Sequence, residues 1–127
     1  MIAGVGTDLV DVNRINEKIA KESGFRELVF SSAEIAYCES KAKKAEHYAA
    51  RFAAKEAFLK AIGTGWKNGT AFNEIEINND ASGKPGIALL GETANTLASV
   101  HIKKIWISLS HVEKFASAVV IIEKIDG

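Results

Sequence analysis

The first dozen residues, MIAGVGTDLVDV, combine β-branched residues, partial alternation and two glycines, which predicts a strand. NRINEKIAKES follows as a short helix with Asn13 at its N-cap. Ser32 is the expected cap of a second helix, AEIAYCESKA. The strongest helical signal is AEHYAARFAAKEAFLKAIG, rich in Ala, Glu and Lys, with Gly63 where a glycine would end it. GTGWKNGTAF is a loop and NEIEIN alternates as a strand. NDASGKPG forms a turn holding the only proline, Pro85. IALL is a short strand and ETANTLASV a helix. HIKKIWISLS and FASAVVIIEKI are two strands joined around HVEK. The second is nearly all apolar, which predicts burial on both faces. Helices and strands mix without strict alternation, so the class is α+β, a mostly antiparallel sheet packed on helices. No repeat, linker or low-complexity run divides the chain, and residues 1–127 read as one domain.

On a helical wheel of about 100° per residue, Tyr48, Phe52, Leu59 and Ile62 form an apolar stripe in the central helix. Glu56 falls within or at the edge of that stripe, with Lys60 on its shoulder. Most Glu/Lys pairs four residues apart are solvated decoration. A carboxylate turned towards the core needs a cation, a metal or a proton. Lys60 can be that cation; a metal is the alternative. In the first strand Gly4, Gly6, Asp8 and Val10 share a face. Strand glycines mark a close approach to the backbone, and Asp8 beside them is either a strand-end turn former or a metal ligand.

Composition narrows the choices. The chain has 127 residues, 47% apolar and 25% charged, with a formal net charge of zero, so no overall field draws it to nucleic acid or lipid. Cys38 is the only cysteine, which excludes an internal disulfide and suits a reducing compartment. No charged segment leads into an apolar stretch with a cleavage site, and FASAVVII is too short to span a bilayer, so a cytoplasmic protein is expected. Two carboxylates from different elements, with one cysteine and three histidines in the chain, suit Mg²⁺ better than zinc.

Other motifs are absent. A GxGxxG would need glycine at position 9, where Leu9 stands, and there is no GxxxxGK[ST] loop. No GxSxG surrounds Ser108 or Ser110. His111 ends a strand, where a turn-capping role is the commoner one. Arg51, Lys55 and Lys60 crowd the central helix, and Lys41, Lys43 and Lys44 precede it. Arg14, Lys18 and Lys21 make a basic stripe on the first helix, with Ile15 and Ile19 on a neighbouring face. Such stripes are either solvated surface or a site for phosphates and an acidic partner.

GVGTDLVDVNRI, RFAAKEAFLKAIGTG, GKP and ISLSH…FASAVVI, in this order over nearly the whole chain, resemble the short, single-domain members of the 4′-phosphopantetheinyl transferase family, the holo-[acyl-carrier-protein] synthases. The resemblance implies Mg²⁺-dependent transfer of the 4′-phosphopantetheine arm of coenzyme A to a serine of an apo acyl carrier protein, in the service of fatty acid biosynthesis. It implies Asp8 and Glu56 as metal ligands and Lys60 beside the pyrophosphate. Arg51, Gly63, Gly65 and His111 would hold coenzyme A, and Arg14, Lys18 and Lys21 the acidic carrier protein. It also implies a homotrimer with active sites between subunits. Two other readings stand beside it: a Mg²⁺-dependent coenzyme A pyrophosphatase, which lacks its usual glutamate-rich helix here, and a non-catalytic carrier-binding module.

Overall fold

The computed structural model describes residues 1–63 and 69–126. Strand β1 (Ile2–Asp11) leads into α1 (Val12–Ala20), α2 (Phe25–Val29), α3 (Ser32–Glu39) and the long α4 (Lys44–Ile62). A 3₁₀ turn (Phe72–Glu74) precedes β2 (Ile75–Asn79) and β3 (Pro85–Leu89). Then come α5 (Gly91–Leu97), a second 3₁₀ turn (Ala98–Val100), β4 (Ile102–His111) and β5 (Phe115–Lys124). The α+β class holds. Both sheets are antiparallel: β1-β5-β4, with β5 central, and the hairpin β2-β3. Among the described residues no helix is long and apolar enough to cross a membrane.

Several termini fall one or two residues from their expected places, each for a local reason. Asp11, not Asn13, caps α1: its carboxylate accepts from the backbone N–H groups of Asn13 and Arg14. Ser31, not Ser32, caps α3, and Glu34 returns the bond to the Ser31 N–H, a reciprocal capping box. Gly63 ends α4 in the left-handed region at φ 84°, as the sequence predicts.

Helix α4 lies across the β1-β5-β4 sheet and carries no single apolar stripe. Ala49, Ala50, Ala53, Ala54, Ala57 and Ala61 are buried on several sides of it. Gly4 and Gly6 explain the close contact with β1. A Cβ on Gly4 would overlap the carbonyl oxygen of Ala61, and one on Gly6 that of Ala57. The close approach to the strand backbone is therefore made by α4 itself.

Burial decides two points. Of the two readings of the basic cluster on the central helix, solvated surface does not hold for Arg51 and Lys55; both are buried. Strand β5 is buried on one face only: Ala116, Ala118, Val120 and Ile122 face α4, while Phe115 and Val119 are exposed. Val5 and Leu9 of β1 and Trp106 of β4 are exposed too; the register puts Val5 and Trp106 beside Ile121. One whole side of the sheet is thus open and largely apolar.

Candidate active site

The glycine contact sets the site. Asp8 follows Gly4 and Gly6 on the inward row of β1, and Glu56 and Lys60 project from the adjoining edge of α4. Together they line a cavity of about 390 Å³ with Phe52, Arg14 and Lys18. Lys60 does not pair with Glu56. Its Nζ donates to Asp8 Oδ1 at 3.0 Å and to the Thr7 carbonyl oxygen at 3.0 Å. Glu56 accepts no hydrogen bond among the described residues. Burial pushes its carboxyl above the ordinary glutamate value, the charge of Asp8 adds to this, and Lys60 works against it. Two carboxylates sharing a cleft, one of them without a partner, make a place that favours a cation.

Among the described residues no three His, Cys, Asp or Glu side chains converge as a ready-made metal constellation. The pair Asp8 and Glu56 fits a hard cation such as Mg²⁺, which takes one or two carboxylates and completes its shell with water and phosphate oxygens. It does not fit zinc.

Arg14 and Lys18 reach the same cavity from α1, with Ile15 buried behind them. Lys18 Nζ also lies 5.4 Å from the centre of the Phe25 ring. Lys21 is exposed at the C-cap of α1 and does not line the cavity. Gly63 sits at the end of α4, one turn beyond Lys60. Gly65 lies outside the described residues.

Arg51 and His111 belong elsewhere. They line a second cavity, of about 310 Å³, with Tyr37, His47 and Asn79. The buried Arg51 guanidinium stacks 4.1 Å from the centre of the Tyr37 ring and donates from Nη2 to Asn79 Oδ1 at 2.9 Å. Its Nε has no hydrogen-bond partner, and among the described residues no carboxylate pairs with it. A buried guanidinium in this state is a standing demand for an anion. His111 Nδ1 lies 2.8 Å from Glu46 Oε1, and the His47 ring packs 4.9 Å from the His111 ring. Burial lowers the pKa of His47, and the charge of His111 lowers it further. A larger cavity of about 640 Å³ lies between the starts of α1 and α4 and the β4–β5 turn; Asn13 and Lys43 line it, but none of the residues expected to hold metal, coenzyme A or carrier protein does.

Tyr37, Glu46, His47 and Asn79 were not singled out from the sequence, because their partners come from distant elements. Only Glu46 and His47 carried a hint, standing together in the first turn of α4.

The fold and the cleft that joins two carboxylates to basic side chains describe a small α+β protein with a mixed-charge site, and comparison makes that class specific. The sequence profile of the 4′-phosphopantetheinyl transferase superfamily matches residues 4–120. A holo-[acyl-carrier-protein] synthase of Cytophaga hutchinsonii is 50% identical over 127 residues, covering 98% of this chain and 99% of that protein. The crystal structure of holo-[acyl-carrier-protein] synthase from Neisseria meningitidis superposes with a TM-score of 0.89 at 35% identity, covering 98% of this chain and 100% of the other. The Helicobacter pylori holo-[acyl-carrier-protein] synthase in complex with coenzyme A superposes at 0.80 with 31% identity, covering 94% and 99%. The chain belongs to the 4′-phosphopantetheinyl transferase superfamily and is an enzyme of the holo-[acyl-carrier-protein] synthase type.

Proposed function

We propose that the chain, one domain throughout residues 1–127, transfers the 4′-phosphopantetheine group of coenzyme A to a serine hydroxyl of an apo acyl carrier protein. The other product is adenosine 3′,5′-bisphosphate. The observation that carries this reading is the single cavity joining Asp8, Glu56 and Lys60 to the basic side chains of α1. The serine oxygen attacks the β-phosphorus of coenzyme A, and the bisphosphate leaves. Asp8 and Glu56 would hold Mg²⁺, which supplies charge neutralisation on the pyrophosphate. Lys60 exchanges its bond to Asp8 for a phosphate oxygen. Arg14, Lys18 and Lys21 meet the acidic surface of the carrier protein, which leaves its serine at the cavity mouth. Arg51 and His111 hold coenzyme A phosphates, and Gly63 and Gly65 belong to the same coenzyme A site.

The working unit is a homotrimer with its active sites between subunits. Two features support this. On one chain the carboxylate cavity and the Arg51–His111 cavity are separate, so a site using both draws on two subunits. The open sheet side presents Val5, Leu9, Phe115 and Val119 to a neighbour. The reaction serves fatty acid biosynthesis in the cytoplasm.

The test is the intact mass of an apo acyl carrier protein after incubation with the enzyme, coenzyme A and Mg²⁺. A gain of one phosphopantetheine, lost on chelation and with Asp8→Ala, is expected. Hydrolysis of coenzyme A without carrier protein, or carrier binding indifferent to coenzyme A and Mg²⁺, would overturn the reading. Arg14→Glu is expected to weaken carrier binding more than coenzyme A binding; titrations of the two substrates separate these effects, and equal losses would argue against separate surfaces.

A further inference from the structure

Glu46 stands in the first turn of α4, nearly buried, with its carboxylate turned to the end of β4. We propose that it is a positioning residue for His111, setting the imidazole so that Nε2 faces the cavity it shares with Arg51. The proposal rests on the coenzyme A reading above and assigns a role within it.

An ionised carboxylate only accepts hydrogen bonds, so the 2.8 Å contact to Glu46 Oε1 makes Nδ1 the N–H of His111. That leaves Nε2 as the polar atom of the ring without a hydrogen bond among the described residues. The ring is also clamped. His47 packs against it at 4.9 Å between ring centres, and Tyr37 meets His47 edge-on at 5.7 Å. Tyr37 in turn carries the Arg51 guanidinium on its face. Glu46, His111, His47, Tyr37 and Arg51 are therefore one contiguous chain of contacts around one cavity. Arg51 Nε is buried on this cavity with no hydrogen-bond partner, and the part-exposed His111 ring lines the same cavity. Without Glu46 the ring would keep its place on β4 but lose the bond that fixes its rotation and tautomer.

The experiment measures the dissociation constant of adenosine 3′,5′-bisphosphate by calorimetry, the kcat and KM for each substrate, and the His111 tautomer by ¹⁵N NMR. Glu46→Ala is expected to abolish the Nδ1–H signature. It should raise the dissociation constant and the coenzyme A KM about tenfold, the size of one oriented hydrogen bond to a charged group. kcat and the carrier-protein KM should not change. Glu46→Gln, whose amide oxygen accepts the same bond, should restore both tautomer and affinity. In a His111→Ala background, Glu46→Ala should add nothing. Glu46→Ala with unchanged nucleotide affinity, an equal loss in the His111→Ala background, or Glu46→Gln as weak as Glu46→Ala would each overturn the positioning role. Wild-type protein that neither binds the bisphosphate nor modifies a carrier would overturn the coenzyme A reading, and this proposal with it.

Discussion

Helix α4 carries two lysine–carboxylate pairs only five residues apart, and they behave as opposites. Lys55 and Glu34 are fully buried. Lys55 Nζ spends its three protons on Glu34 Oε1 and on the carbonyl oxygens of Phe72 and Ile75, at 2.6 to 2.7 Å. The other oxygen of Glu34 accepts from the Ile77 N–H. Burial pushes the Lys55 ammonium below its ordinary value, although Glu34 pulls the other way. Lys60 and Asp8 are also bonded, but the Lys60 side chain is 55% exposed, and Glu56 stands beside the pair without a hydrogen bond among the described residues. The first pair is saturated by the protein and pins α3, α4 and β2 together. The second is left incomplete, so a ligand can finish it. Saturation, not the presence of a salt bridge, separates a structural pair from a working one.

The largest test of that contrast is Lys55→Met. It strands a buried carboxylate and should cost about 3–5 kcal/mol in denaturant unfolding. A loss below about 1 kcal/mol would mean that the pin is not structural. Next comes Gly6→Ala, which forces β1 off α4. Overpacking of this kind should cost about 1–3 kcal/mol. Because Asp8 is two residues further on, transfer should fall more steeply than stability, and parallel melting and transfer assays would show whether it does. Lys60→Ala should change stability by less than about 1 kcal/mol while lowering turnover on the order of 100-fold, the reverse of Lys55→Met.

The smallest effect belongs to Glu56→Gln and depends on pH. The folded carboxyl of Glu56 is raised above its unfolded value. Its charge therefore costs the fold nothing while both states are protonated, and the cost grows as pH rises through the folded value. Glu56→Gln should melt slightly higher than wild type at neutral pH, and the advantage should shrink towards pH 4. An advantage that does not change with pH would place its origin outside this titration.

Much of this was legible in the chain. The glycine pair in β1 and the glycine end of α4 follow from backbone requirements that only glycine meets easily, so the sequence states them directly. The burial of α4 was not legible as one stripe, because its alanines are buried on several sides of a helix packed nearly all round. Lys55 looked like any surface lysine, since its partner Glu34 lies 21 residues away and only the tertiary fold brings them together. The placement of Arg51 and His111 apart from Asp8 was not legible, because it depends on which side of α4 each faces. The open side of β5 was equally hidden: an apolar run reads the same whether its outer face meets the rest of its own chain or none of it.

The contact between Gly6 and the Ala57 carbonyl has a further consequence, for how such a sequence can drift over evolutionary time. Backbone atoms meet there, and every amino acid has the same ones. The large side chains of the core can exchange volume among themselves over many generations while the spacing between Asp8 and the α4 residues stays the same. Substitution is thus easier in the bulk of the core than at Gly4 and Gly6, because no residue smaller than glycine exists to compensate for a change there.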